Sequence, residues 1–195
     1  MQYMEKPVTT AENILLIDTE YLNFLTHDIK SHFEPRIGRT LKDIDIVDLI
    51  CYLSLDAELP RDASEKSVFF IYNKNSEKFL HCTPASLAAI DGMHFGNPVG
   101  SFHINAFSNE GLVSIEDMFL DSLQTLCEAG HVRRIAVMGN NEAYGTQIEE
   151  ILSKTKGKLR LMQFRMDEPK GKTGFDYTFP AYAIMHAFGI TENDL

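Results

Sequence analysis

Apolar positions in this chain fall into short unbroken runs that alternate with helical stripes. The first run, Ile14-Leu15-Leu16-Ile17, contains no polar residue. A continuous run of that length, half of it β-branched, suits a strand covered on both faces. It stops on Asp18. Tyr21, Leu22, Leu25, Ile29 and Phe33 then recur at helical spacing, and Pro35 is expected to close that helix. A second stripe through Leu41, Ile44, Val47, Ile50 and Leu55 predicts another helix. Asp43 and Asp45 lie near its amino end, where acidic residues favour the helix dipole.

Residues 67–72, with Val-Phe-Phe-Ile inside, predict a second buried strand. The pattern over residues 74–98 is mixed. It predicts one short helix with Pro84 in its first turn, and Asp91-Gly92 and Asn97-Pro98 act as breakers. Residues 100–107 alternate loosely, as a third strand would. Ser114 opens a clear helix with Ile115, Met118, Phe119, Leu123 and Leu126 on one face, ended by Gly130. Residues 134–138 and 159–164 predict two more strands, joined by a helix marked by Ile148, Ile151 and Leu152.

Five strands separated mostly by helices require crossover connections. The expected fold is therefore α/β and Rossmann-like: three layers, with a mainly parallel five-stranded sheet and helices on both faces. Residues 1–12 read as a polar lead-in, 13–165 as the domain, and 166–195 as a carboxy-terminal extension. The aromatic part of that extension is expected to cover a sheet edge or to form a homodimer through residues 175–190.

Charge narrows the partners. A formal net charge of −10 argues against indiscriminate binding to nucleic acid, which phosphate neutralisation drives. Even so, half of the 18 Lys and Arg residues fall between Arg133 and Lys172, a strip suited to a phosphate backbone. The 3 cysteines are odd in number and lack metal-ligand spacing, as expected of reduced thiols in a cytoplasmic protein. No apolar run is long enough for a membrane span, and the first residues lack the layout of a secretory signal.

Three polar clusters sit where strands give way to helices: Asp18 with Glu20; Glu116, Asp117 and Asp121; and Asn140, Asn141 and Glu142. Ligands of open parallel sheets bind at the carboxyl ends of the strands. Acids gathered there from separate strands would make an oxygen cage for Mg²⁺ or Mn²⁺, able to orient a phosphodiester and activate water. Helix capping competes as an explanation. Asp and Asn are favoured N-caps, and Ser114-Ile-Glu-Asp117 resembles a capping box. The 7 histidines show no pair one helical turn apart, and Asp18-Thr19-Glu20 contains no glycine for a phosphate-binding loop.

Together these clusters resemble the NYN branch of the PIN-like nucleases. Ile-Leu-Leu-Ile-Asp18-Thr-Glu20 is similar to that family's first strand and its acidic end. Glu116-Asp117-Met-Phe-Leu is similar to its next acidic position, at the start of a long helix. Val137-Met-Gly-Asn140-Asn141-Glu142 resembles its Ser-Gly-Asp-x-Asp turn, although Asn140 and Glu142 stand where the family has Asp. Tyr21 stands where the family has Asn.

The resemblance implies a PIN-like fold in which Asp18, Asp117 and Glu142 are the catalytic, metal-binding acids. Glu20, Asp121, Asn140 and Asn141 would be their binding neighbours. The neutral Asn140 lowers the site's charge, so the expectation is a non-catalytic or weakly active relative that binds RNA, a nucleotide or a protein. An active Mg²⁺- or Mn²⁺-dependent ribonuclease is the alternative. A more distant alternative is a phosphatase with Asp18 as its nucleophile.

Overall fold

The computed structural model describes residues 10–195, so residues 1–9 of the lead-in lie outside the described residues. Strand β1 (Asn13–Asp18) is buried along its whole length. Ile14 and Leu16 point to one face of the sheet and Leu15 and Ile17 to the other, which is why the run needs no alternation. Helix α1 (Thr19–Ile37) runs through Pro35 rather than ending there. Pro35 lies in the last turn, so the one backbone bond it removes leaves the preceding turns intact. Gly38 ends the helix instead, in the left-handed conformation (φ 66°), with its N–H donated to the Glu34 carbonyl at 3.0 Å.

The second stripe starts later than its spacing predicts. Ile44–Asp45 form a short strand, β2, and helix α2 spans Ile46–Asp56 with Asp45 as its N-cap, accepting from the Val47 N–H at 2.8 Å. Strand β3 (Glu65–Tyr72) follows as expected. In the mixed stretch, β4 (Cys82–Thr83) pairs with β2, and α3 (Leu87–Ile90) is one turn with Ser86, not Pro84, at its start. Strand β5 (His94–Asn97) then turns back antiparallel onto β6 (Gly100–Ser108). Asn97 makes that turn by accepting from the backbone of Val99 (2.9 Å) and Gly100 (3.3 Å).

Helix α4 (Ile115–Glu128), β7 (Arg134–Met138), α5 (Asn141–Lys154) and β8 (Arg160–Phe164) complete the expected alternation. The extension contributes strand β9 (Asp176–Thr178), parallel to β8, and helix α6 (Pro180–Ala187). The α/β class and the mainly parallel sheet thus hold, but the sheet has seven strands, not five. β5 and β9 are the additions. Each is shorter than the window in which a hydrophobic period can be recognised.

The strand order is β5-β6-β3-β1-β7-β8-β9, parallel throughout except for β5. From central β1 the chain moves outward through β3 and β6, then returns to β7 and moves outward the other way. The direction changes between β1 and β7, which is the topological switch point. One face carries α1, α2, α3 and α6 over Leu15, Ile17, Val68, Phe70 and Phe102. On the other face α4 and α5 cover Ile14, Leu16, Ile135 and Val137.

Candidate functional site at the carboxyl rim

Asp18 ends β1 beside the switch point, and its carboxylate is buried, with 2% of the residue exposed. Oδ1 accepts the backbone N–H groups of Glu20 (2.9 Å) and Tyr21 (3.2 Å), so Asp18 caps α1. Oδ2 accepts the hydroxyl of Tyr144, which reaches across from α5. Tyr144 itself leaves helical geometry (φ −139°, ψ 25°), kinking α5 in its first turn. Burial pushes the Asp18 carboxyl above its ordinary range, against the downward pull of Tyr144 and the two N–H groups. Burial and the adjacent Asp18 likewise raise the Tyr144 phenol.

Backbone passes close under the helices here. A Cβ at Gly139, between β7 and α5, would lie 2.6 Å from Ile148 Cδ1 and 2.8 Å from Phe119 Cε1. Only glycine lets the end of β7 run so close beneath α4 and α5.

The other expected site residues lie in, or just before, the helices whose amino ends meet this rim. Asn140 caps α5, its Oδ1 accepting from Glu142 and Ala143 N–H at 3.1 Å each. Asn141 Nδ2 donates to the Phe164 carbonyl (3.1 Å), and its Oδ1 accepts from Gln163 Nε2 (3.1 Å), tying α5 to β8. Ser114 caps α4 by accepting from Asp117 N–H at 2.9 Å and donates its hydroxyl to Asp117 Oδ2 at 2.8 Å. Glu20 is exposed and accepts from Asn73 Nδ2 at 2.7 Å. Asp117, Asp121 and Glu142 are exposed.

Asp18, Asp117 and Glu142 share the rim without forming a cage. Among the described residues, one group of His, Cys, Asp or Glu brings three ligand atoms within 4.8 Å of one another, and it is Glu65, His94 and His103. As arranged, the rim acids do not bring three ligand atoms within that distance, and both oxygens of Asp18 accept hydrogen bonds.

The basic strip divides. Arg134 and Arg160 begin β7 and β8, at the end of the sheet opposite the acids. Arg160 pairs with Glu58 and Asp176, and Lys154 with Glu150. Arg165, just past the end of β8, is buried against Glu149 and Asp167. Arg160, Lys154 and Arg165 are thus paired with acids of the same chain, while Arg134 turns one nitrogen toward the Asn13 side-chain oxygen at 3.5 Å.

Comparison with known proteins adds one fact. A model of a family of unknown function, DUF6621, matches residues 7–195. The chain belongs to DUF6621. No curated protein matches it, and no solved structure does. Nothing in the DUF6621 match assigns a role to the rim, so its chemistry must be judged from the residues themselves. No helix among the described residues is long and apolar enough to cross a membrane.

Sequence reasoning missed the Glu65, His94 and His103 group, because its members come from three strands and follow no helical spacing. A signal was present. His94 and His103 lie equally far on either side of the Asn97–Gly100 turn, so a hairpin there places them opposite each other.

Proposed function

We propose that this chain is a non-catalytic domain of the PIN-like, NYN type, which binds a protein partner and does not cleave RNA. The observation that carries this reading is the engagement of Asp18. The acid that would anchor a divalent cation caps α1 with one oxygen and receives the Tyr144 hydroxyl with the other. Binding a cation would require breaking those contacts inside a packed junction. The exposed rim groups Glu20, Asp117 and Glu142 are acidic, and the nearby Arg165 is paired, so the rim repels a phosphate backbone and attracts a cationic segment.

The test compares wild type with Asp18→Asn for Mn²⁺ uptake by calorimetry and for cleavage of single-stranded RNA. No uptake that depends on Asp18, and no cleavage, is the expected result. Saturable uptake or cleavage abolished by Asp18→Asn would overturn the reading. A Lys- and Arg-rich peptide and an oligoribonucleotide, followed by fluorescence anisotropy, then separate the partner classes. The peptide should bind and lose affinity in Glu20→Gln and Glu142→Gln.

The alternative, an Mg²⁺- or Mn²⁺-dependent ribonuclease, draws support from one feature: Asp18, Asp117 and Glu142 all lie where helices start on a single rim. It would require Tyr144 to swing away from Asp18. Dimerisation through residues 175–190 also belongs to the proposal. Tyr177 and Tyr182 are 39% and 61% exposed, Tyr182 lining one groove with the exposed Met166, and a light-scattering mass gives the oligomeric state directly.

A further inference from the structure

Helices α4 and α5 cover β1 and β7, and on β3 the buried Ser67 accepts the Ala11 N–H; among the described residues Glu65 and His94 nonetheless stay exposed on that same face. Three side chains project from it. In the ladder Ser67 lies beside His103, and His103 lies beside His94 across the hairpin. Glu65 is two residues before Ser67, so all three share the face by the period of two. The imidazoles of His94 and His103 stack with ring centroids 3.8 Å apart and 18° between planes. His94 Nδ1 lies 3.8 Å from Glu65 Oε1. Glu65 and His94 are exposed and His103 is half-buried.

From this juxtaposition we infer that Glu65, His94 and His103 form a binding site for a transition-metal ion of the Zn²⁺ class, linking edge strand β5 to β3 and β6. Two imidazoles and a carboxylate are a donor set for Zn²⁺ and its neighbours rather than for Mg²⁺, which takes oxygen. Around one Zn²⁺ the donor atoms lie roughly 3.3 Å apart, given metal–ligand distances of about 2.0–2.2 Å. The three donors already lie within 4.8 Å of one another, and rotation of exposed side chains closes that gap. No other hydrogen-bond partner competes for these three side chains among the described residues. One pleat further along β6 on the same face, buried Asn105 carries an amide nitrogen with no hydrogen-bond partner among the described residues.

This site lies toward the end of the sheet opposite Asp18, so it stands or falls independently of the rim. The experiment titrates the metal-free protein with Zn²⁺ by calorimetry and with Co²⁺ by visible absorption, in wild type, His94→Ala, Glu65→Gln and His27→Ala. One equivalent should bind wild type and His27→Ala, with affinity at least about tenfold lower in His94→Ala and Glu65→Gln. Zn²⁺ should raise the melting temperature of wild type more than that of His94→Ala at the same free Zn²⁺. No saturable binding, binding unchanged in both ligand variants, or binding lost in His27→Ala would overturn the inference. His94 and Glu65 are exposed, so matching melting temperatures of the metal-free forms verify that the variants fold.

Discussion

At the carboxyl rim, Asp18, Glu20, Asp117, Asn140 and Asn141 all direct polar atoms to partners within the chain. On the face over β3, β6 and β5, Glu65, His94 and His103 hold theirs close to one another and without hydrogen-bond partners among the described residues. The two regions carry similar residue types and opposite commitments. A strand end followed by a helix must satisfy the first N–H groups of that helix, and Asp, Asn and Ser do so at low cost. Polar residues at such a junction are therefore claimed by the fold first. A sheet face away from helix ends makes no such demand, so ligating side chains there remain free for a ligand. Variants that break the two regions should behave differently.

The largest effect is expected at Asp18. Replacing it by Ala removes the α1 cap and strands the buried Tyr144 hydroxyl. Unfolding free energy should fall by about 2–4 kcal/mol in urea titrations, the sum of a lost cap and an unsatisfied buried donor. Tyr144→Phe should cost less, because Asp18 keeps its cap, and the double variant should cost less than the two single changes added together. A loss in Asp18→Ala no larger than that of an average surface change would mean that the rim acid is free for other work.

Gly139→Ala should follow in size. The new methyl meets Ile148 and Phe119, both fully buried, at 2.6 and 2.8 Å. Overpacking of this kind costs about 1–3 kcal/mol. Full stability in this variant would show that α4 and α5 sit more loosely over the switch point than the close contacts suggest.

The long periodic elements were legible in the sequence because burial imposes its period on them. β1 shows as an apolar run, and α4 shows as a stripe ending near Gly130. Asp18, Asp117 and Asn140 were legible as polar residues at strand–helix junctions. Their role was not, because a cap and a metal ligand need the same residue types at the same place. What separates the two is Tyr144, 126 positions from Asp18 in the chain and placed against it only by the pairing of β1 with β7. β5 and β9 escaped notice because strands of four and three residues carry no readable period. His94 and His103 escaped with β5, since their proximity exists only once the hairpin forms.

Asp18 also supplies a pH test of the rim. Burial raises its carboxyl in the folded state, so the folded protein holds that proton more tightly than the unfolded chain does. The stability gained from the protonated form is complete below the unfolded value of about 3.9 and is lost as pH rises through the folded value. Asn does not titrate and removes this contribution. The stability of wild type relative to Asp18→Asn should therefore be highest in acid and decline toward neutral pH, measured as urea midpoints across that range. A difference that grows with pH would mean the carboxylate is held ionised, as a metal ligand would be.

The smallest effect is expected on the face over β3, β6 and β5. Glu65 and His94 are 3.8 Å apart with both side chains about half exposed, and such pairs contribute little to stability. Metal-free His94→Ala and Glu65→Gln should stay within about 0.5 kcal/mol of wild type. With Zn²⁺ present the difference should widen. Wild type should gain more stability than either ligand variant, because its folded state binds the ion more tightly, and the gain should grow with the logarithm of free Zn²⁺. If the metal-free variants were instead destabilised as much as Asp18→Ala, these side chains would be structural after all. The contrast between a rim claimed by the fold and a face left open to a ligand would then collapse.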